Sequence, residues 1–178
     1  MSLLWKQGIN LWRKRCPEDE LDMTNLRLVS LKQNIDDLIN DADESLEVDD
    51  EKKSHLAKYA CVLISGFLEN AVYEVYRDYA LRKNTDAKVL QFVEGRLKGI
   101  NNPDGTRLVG IAGQFNATWS TELEEFMAEN NRKGAIGSVI KNRHKIAHGE
   151  TSSITLNLVK QYWERVVEVV VFMESQGV

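Results

Sequence analysis

The segment Lys141-Asn142-Arg143-His144-Lys145-Ile146-Ala147-His148-Gly149 gathers the residues best suited to chemistry in this 178-residue chain. Histidine is the side chain whose ordinary titration spans neutral pH, so it can both take and give a proton there. His144 and His148 stand four apart, on one face of a helix. At roughly 100° per residue, Ile136, Val139, Ile140, Ile146 and Ala147 share a face, and Arg143 projects from its middle. A guanidinium cannot shed its charge, so its burial requires an anion or a wet cleft. Two histidines and an arginine at a helix end supply a general acid–base and a cation for a phosphorane. That is the equipment for cleaving RNA by attack of its own 2′-hydroxyl, and it needs no metal ion.

Two other readings fit the same residues. The His-x-x-x-His spacing suits a metal pair. A zincin pattern, however, has glutamate directly after the first histidine, and Lys145 stands there. The histidines are also well placed to complement the helix C-terminus before Gly149, and Arg143 to snorkel or join a structural ion pair. The reading carried forward has no metal and no cofactor.

Helical periodicity dominates the elements that must hold this segment. Near 1–15, Leu4, Trp5, Ile9, Leu11 and Trp12 suggest a docking helix or arm within residues 1–23, ended by Cys16-Pro17. A helix is expected from Thr24 to about Ser45, followed by a charged connector over 47–53. Ser54 is the expected cap of the longest helix, about His55–Lys83. Leu56, Ala60, Leu63, Ile64, Phe67, Ala71, Val75 and Tyr79 recur there at three- and four-residue steps. Val62, Leu68, Val72 and Tyr76 carry the stripe almost around it, which belongs to a helix at the centre of a bundle. Shorter helices are expected over Asp86–Gly99, from Thr121, over Gly134–His148 and over Thr155–Ser175. The last turns Leu158, Tyr162, Val166, Val169 and Val170 inward. Asn101–Gly105 reads as a turn, and the stretch onward to Trp119 has no clear pattern. The expected fold is all-α: a helical bundle with a long central helix and a short extra N-terminal helix, one domain over 1–178.

Net charge is −4, which excludes a protein coated in phosphate-binding cations. The distribution says more than the total. Acids crowd 36–51 without a Lys or Arg, whereas Arg132, Lys133, Lys141, Arg143 and Lys145 occupy 131–145 without an acid. The second stretch is a candidate RNA contact, or else a solvated helix face. Cys16 and Cys61 give neither a disulfide framework nor a zinc spacing. Lys6 and Gln7 interrupt the first apolar residues, and no stretch reaches the roughly 20 apolar residues of a membrane span. A cytoplasmic protein without membrane contact is therefore expected.

The segment Arg143-His144-Lys145-Ile146-Ala147-His148-Gly149 resembles the Arg-polar-x-x-x-His signature of the HEPN superfamily, most nearly in its RiboL-PSP-type members. Their motif lies near the end of the penultimate core helix, with a final apolar helix after it, as Thr155–Ser175 follows here. The resemblance covers the long helix from about Ser54, and Arg143 to the C-terminus most clearly. It implies a HEPN-like bundle and an endoribonuclease acting as a symmetric homodimer, with RNA as substrate and 2′,3′-cyclic phosphate ends as product. Arg143 and His148 would be the catalytic pair and His144 the polar residue that tunes them, with Asn142 in support. Arg143 and His148 lie about 140° apart on an ideal helix, so one copy need not complete the site. An acidic residue in the central helix is also implied, and Glu69 is the candidate partner of Arg143. Lys141, Lys145, Arg132 and Lys133 would hold RNA. Toxin, phage-defence or stress-response roles, with an antitoxin or other protein partner, follow from the same resemblance. The alternative is a non-catalytic HEPN module that binds a partner protein, nucleotide or RNA.

Overall fold

Asp49, rather than Ser54, begins the longest helix. Its side chain accepts the Lys52 N–H at 2.8 Å, and Asp50 and Glu51 in the first turn complement the positive helix end. In a computed structural model that describes residues 23–44, 49–83 and 86–177, this helix follows α1 (Leu26–Glu44) and is α2 (Asp50–Arg82). At 33 residues it spans roughly 50 Å. The anticipated arm at 1–15 lies outside the described residues.

The rest of the chain is α3 (Ala87–Lys98), α4 (Gly105–Phe115), α5 (Ala117–Ala128), α6 (Arg132–Ala147) and α7 (Leu156–Gln176). Most starts have a side-chain cap: Asp86 for α3, Asp104 for α4, Asn116 for α5 and Thr155 for α7. The stretch without a clear pattern thus holds α4 and the start of α5. Gly105, Gly110 and Gly113 lower its helix propensity, and burial of Leu108, Ile111 and Ala112 offsets that loss.

As its near-continuous apolar surface requires, α2 packs against α1, α3, α6 and α7. Ala57, Ala60, Cys61, Ile64, Phe67, Leu68, Ala71, Val72 and Tyr76 are buried along it, whereas Val62 is exposed. Phe67 meets Trp163 edge-on at 4.9 Å, and the Trp163 indole N–H donates to Asp36 at 2.6 Å. One carboxylate of the acidic 36–51 stretch is therefore spent on joining α1 to α7. On α7 the inward stripe is set by Val159, Trp163, Val166 and Val170. Leu158, expected to face inward, is exposed, because it stands one residue out of phase with that stripe.

Candidate active site on the penultimate helix

The helix that carries the motif divides into a buried half and an emergent half. Arg132, Ala135, Ile136 and Val139 are buried. Ile140, Arg143 and Ile146 are half-buried, and His144, Ala147 and His148 are exposed. Ile140 and Ile146 still pack against the core, so the apolar stripe expected to run to Ala147 ends at Ile146. Cys61 of α2 packs beneath the helix, its Sγ 3.5 Å from the Val139 carbonyl oxygen. Burial raises the Cys61 thiol to about 11, partly opposed by a hydrogen bond from the Arg143 backbone. The thiol is a packing group under the motif.

The helix ends on His148. Its N–H donates to the His144 carbonyl at 3.1 Å, the Gly149 N–H to Ile146 at 3.2 Å, and the Glu150 N–H to Lys145 at 2.8 Å. With Gly149 at φ 70°, these bonds form a Schellman turn, which favours glycine at that position. The turn leaves the imidazole of His148 at the rim, its ring centroid 4.3 Å from that of His144 at a tilt of 54°. Among the described residues, no hydrogen bond or ion pair engages the Arg143 guanidinium. No third His, Cys, Asp or Glu joins the two histidines in a cluster among those residues.

Asn142 does structural work for this end. Its Nδ2 donates to the Ser138 carbonyl at 2.8 Å, and its Oδ1 accepts the Ser152 hydroxyl at 2.9 Å. Ser152 is buried, so this bond clips the returning loop to the helix it has just left. Nothing in the sequence singles out Ser152, because a serine ten residues from its partner obeys no periodic rule.

Three residues assigned to the site from the sequence have other work. Glu69 does not pair with Arg143. Its carboxylate accepts the Asn102 N–H at 2.7 Å and, with the Ser65–Asn102 bond at 3.2 Å, secures the turn in which Asn102 adopts φ 47°. Arg132 is buried rather than open to RNA. Its Nε lies 2.6 Å from Glu168, its Nη1 donates to the Phe126 carbonyl at 3.0 Å, and its guanidinium stacks 3.8 Å over the Phe126 ring. Lys133 is exposed but lies at the far end of α6, its stem against Gly105, about 15 Å along the helix from Arg143. Lys141 (exposed) and Lys145 (half-buried) remain beside the motif.

The bundle, with an Arg-x-x-x-x-His segment closing its penultimate helix, has the arrangement that the HEPN resemblance implies. The model of the RiboL-PSP-HEPN family matches residues 26–176, and the chain belongs to that family. No curated protein and no solved structure matches it. Among the described residues, no helix is long and apolar enough to cross a membrane.

Proposed function

We propose that the protein is a metal-independent endoribonuclease of the toxin, defence or stress-response kind. The observation that carries this reading is the end of α6. There His148 is held at the rim by the Schellman turn, His144 lies beside it, and Arg143 offers an unengaged guanidinium one turn back.

In this reading His148 takes the proton of an RNA 2′-hydroxyl. The freed oxygen attacks the adjacent phosphorus, and the bond to the 5′-oxygen breaks. That oxygen leaves with a proton, giving a 2′,3′-cyclic phosphate and a 5′-hydroxyl end. Arg143 stabilises the charge that gathers on the non-bridging oxygens, His144 tunes its neighbour, and Lys141 and Lys145 hold the flanking phosphates. A base and an acid on opposite sides of the phosphorus call for two proton-transfer groups. A two-fold homodimer that joins two copies of the motif supplies them symmetrically.

The test is cleavage of total RNA in EDTA by wild type and His148→Ala, with end-group analysis. Cyclic phosphate ends that vanish in the variant support the enzyme. Absence of cleavage by wild type moves the reading to an interaction module that binds RNA, a nucleotide or a partner protein.

A further inference from the structure

A groove between α3 and α4 has no role in the motif chemistry. Its volume is about 700 Å³, and Phe92, Val93 and Leu97 face Ile111 and Phe115 across it. Phe92 is 68% exposed, an apolar surface left uncovered by contacts among the described residues. Arg96 and Arg107 line the same groove. Leu97 and Ile100 also border a second depression of about 440 Å³, where Arg27, Tyr73 and Lys98 meet. The two depressions therefore adjoin.

Their charge departs from that of the molecule. The chain carries −4 overall, yet this surface presents Arg27, Arg96, Lys98 and Arg107. Among the described lining residues Glu69 is the one acid, and it is occupied by the Asn102 amide. Arg27 is paired with Glu74 at 2.8 Å, which leaves Arg96, Lys98 and Arg107 as the cations without a carboxylate partner among the described residues. Lys98 stands 5.7 Å from the Tyr73 ring centroid. Cations beside the exposed Phe92 and the half-buried Tyr73 in a groove suit a single-stranded polyanion whose bases stack while its phosphates pair.

We propose that this surface is a binding track for single-stranded RNA, separate from the Arg143/His148 site. The proposal rests on RNA being the substrate. Phe92 and Tyr73 supply faces for bases, and Arg96, Lys98 and Arg107 contact phosphates. Such a track answers a need of the molecule, because Arg132 is consumed in the core and an acidic protein otherwise repels RNA. An acidic amphipathic helix is the rival occupant, since aliphatic side chains also line the groove.

The experiment is fluorescence anisotropy of labelled oligo(U) and oligo(A) of about 12 nucleotides on the full chain carrying His148→Ala, so that cleavage does not intervene. The substituted side chains are exposed, and circular dichroism checks that the fold is kept. Phe92→Ala is expected to weaken binding by about tenfold. The triple variant Arg96→Glu, Lys98→Glu, Arg107→Glu is expected to weaken it further and to flatten the slope of log K against log salt by about 2. Groove variants that bind like the parent, with affinity lost on Lys141→Glu, overturn the track and leave the RNA reading standing. A parent that binds neither oligonucleotide also overturns it, and cleavage of total RNA by wild type then decides the RNA reading independently. Variants that keep RNA affinity but lose a co-purifying acidic protein assign the groove to that protein instead.

Discussion

Replacing Arg132 by alanine separates a basic residue that holds the fold from one that holds RNA. Arg132 is 7% exposed. The substitution removes the bond to Glu168, the bond to the Phe126 carbonyl and the stacking on the Phe126 ring. A hydrogen bond to a charged group contributes about 1.5–3 kcal/mol. Cation–π stacking adds about 1 kcal/mol. These figures do not add fully, and Glu168 keeps its pairing with Arg165, which limits the penalty of stranding that carboxylate. The expected loss is about 3 kcal/mol. For a chain of this size it lowers Tm by roughly 10 °C. Urea unfolding followed by circular dichroism measures the loss, and oligonucleotide anisotropy measures affinity on the folded fraction. Lys141→Ala should show the opposite profile, with stability changed by less than about 0.5 kcal/mol and RNA affinity reduced. An Arg132→Ala protein that melts within about 2 °C of wild type, yet binds RNA weakly, would refute the reasoning.

Ser152→Ala strands the Asn142 side-chain oxygen and should cost about 1–2 kcal/mol, with kcat falling more than KM rises as His148 loses its fixed setting. Threonine at the same position should restore both, and a variant as active as wild type would release the clip from any positioning role. Gly149→Ala forces a side chain into φ 70° and should cost about 1 kcal/mol. The amide protection of Glu150 in hydrogen exchange should fall with it, whereas unchanged protection would mean that the turn tolerates alanine. For Cys61, burial lifts the folded value to about 11, above the ordinary thiol value of 9.0, so the thiol's contribution is intact below pH 9 and is lost as pH rises toward 11. At one unit above the unfolded value the loss is about 1.4 kcal/mol. Wild type should therefore lose that much more stability between pH 8 and pH 10 than Cys61→Ala does, and parallel pH profiles would show the thiol to be less buried than its packing implies.

The elements were legible where periodicity and caps agreed. The unbroken apolar surface of α2 predicted its central place, and Asp86, Thr155 and Gly149 marked ends within a residue or two of where they fall. Legibility failed where tertiary burial overruled local propensity. In α4, three glycines hide a helix that exists because Leu108, Ile111 and Ala112 are buried. Around Ser54, a serviceable cap was passed over because Asp49 offered one five residues earlier, with acids behind it. Leu158 is apolar but out of phase: Val159, one residue on, holds the buried stripe with Trp163 and Val166.

The same contrast governs the charged residues. A carboxylate or guanidinium carries no mark in the sequence to say whether it will meet water, a ligand or a backbone group. Arg132 and Arg143 lie on one helix in one basic stretch, yet one is locked to Glu168 and Phe126 while the other is unengaged among the described residues. Their difference follows from position on α6: Arg132 is buried, whereas Arg143 is half-buried beside the exposed His144. Glu69 has the sign and the helix for pairing with Arg143, but it lacks the reach. It lies eight residues past Cys61, the α2 residue that touches α6 at Val139, which is about 12 Å along the helix axis. A carboxylate at that height serves the Asn102 turn beside it. The motif survives this correction, because its histidines are set by the turn at their own helix end, on a helix that packs against α2.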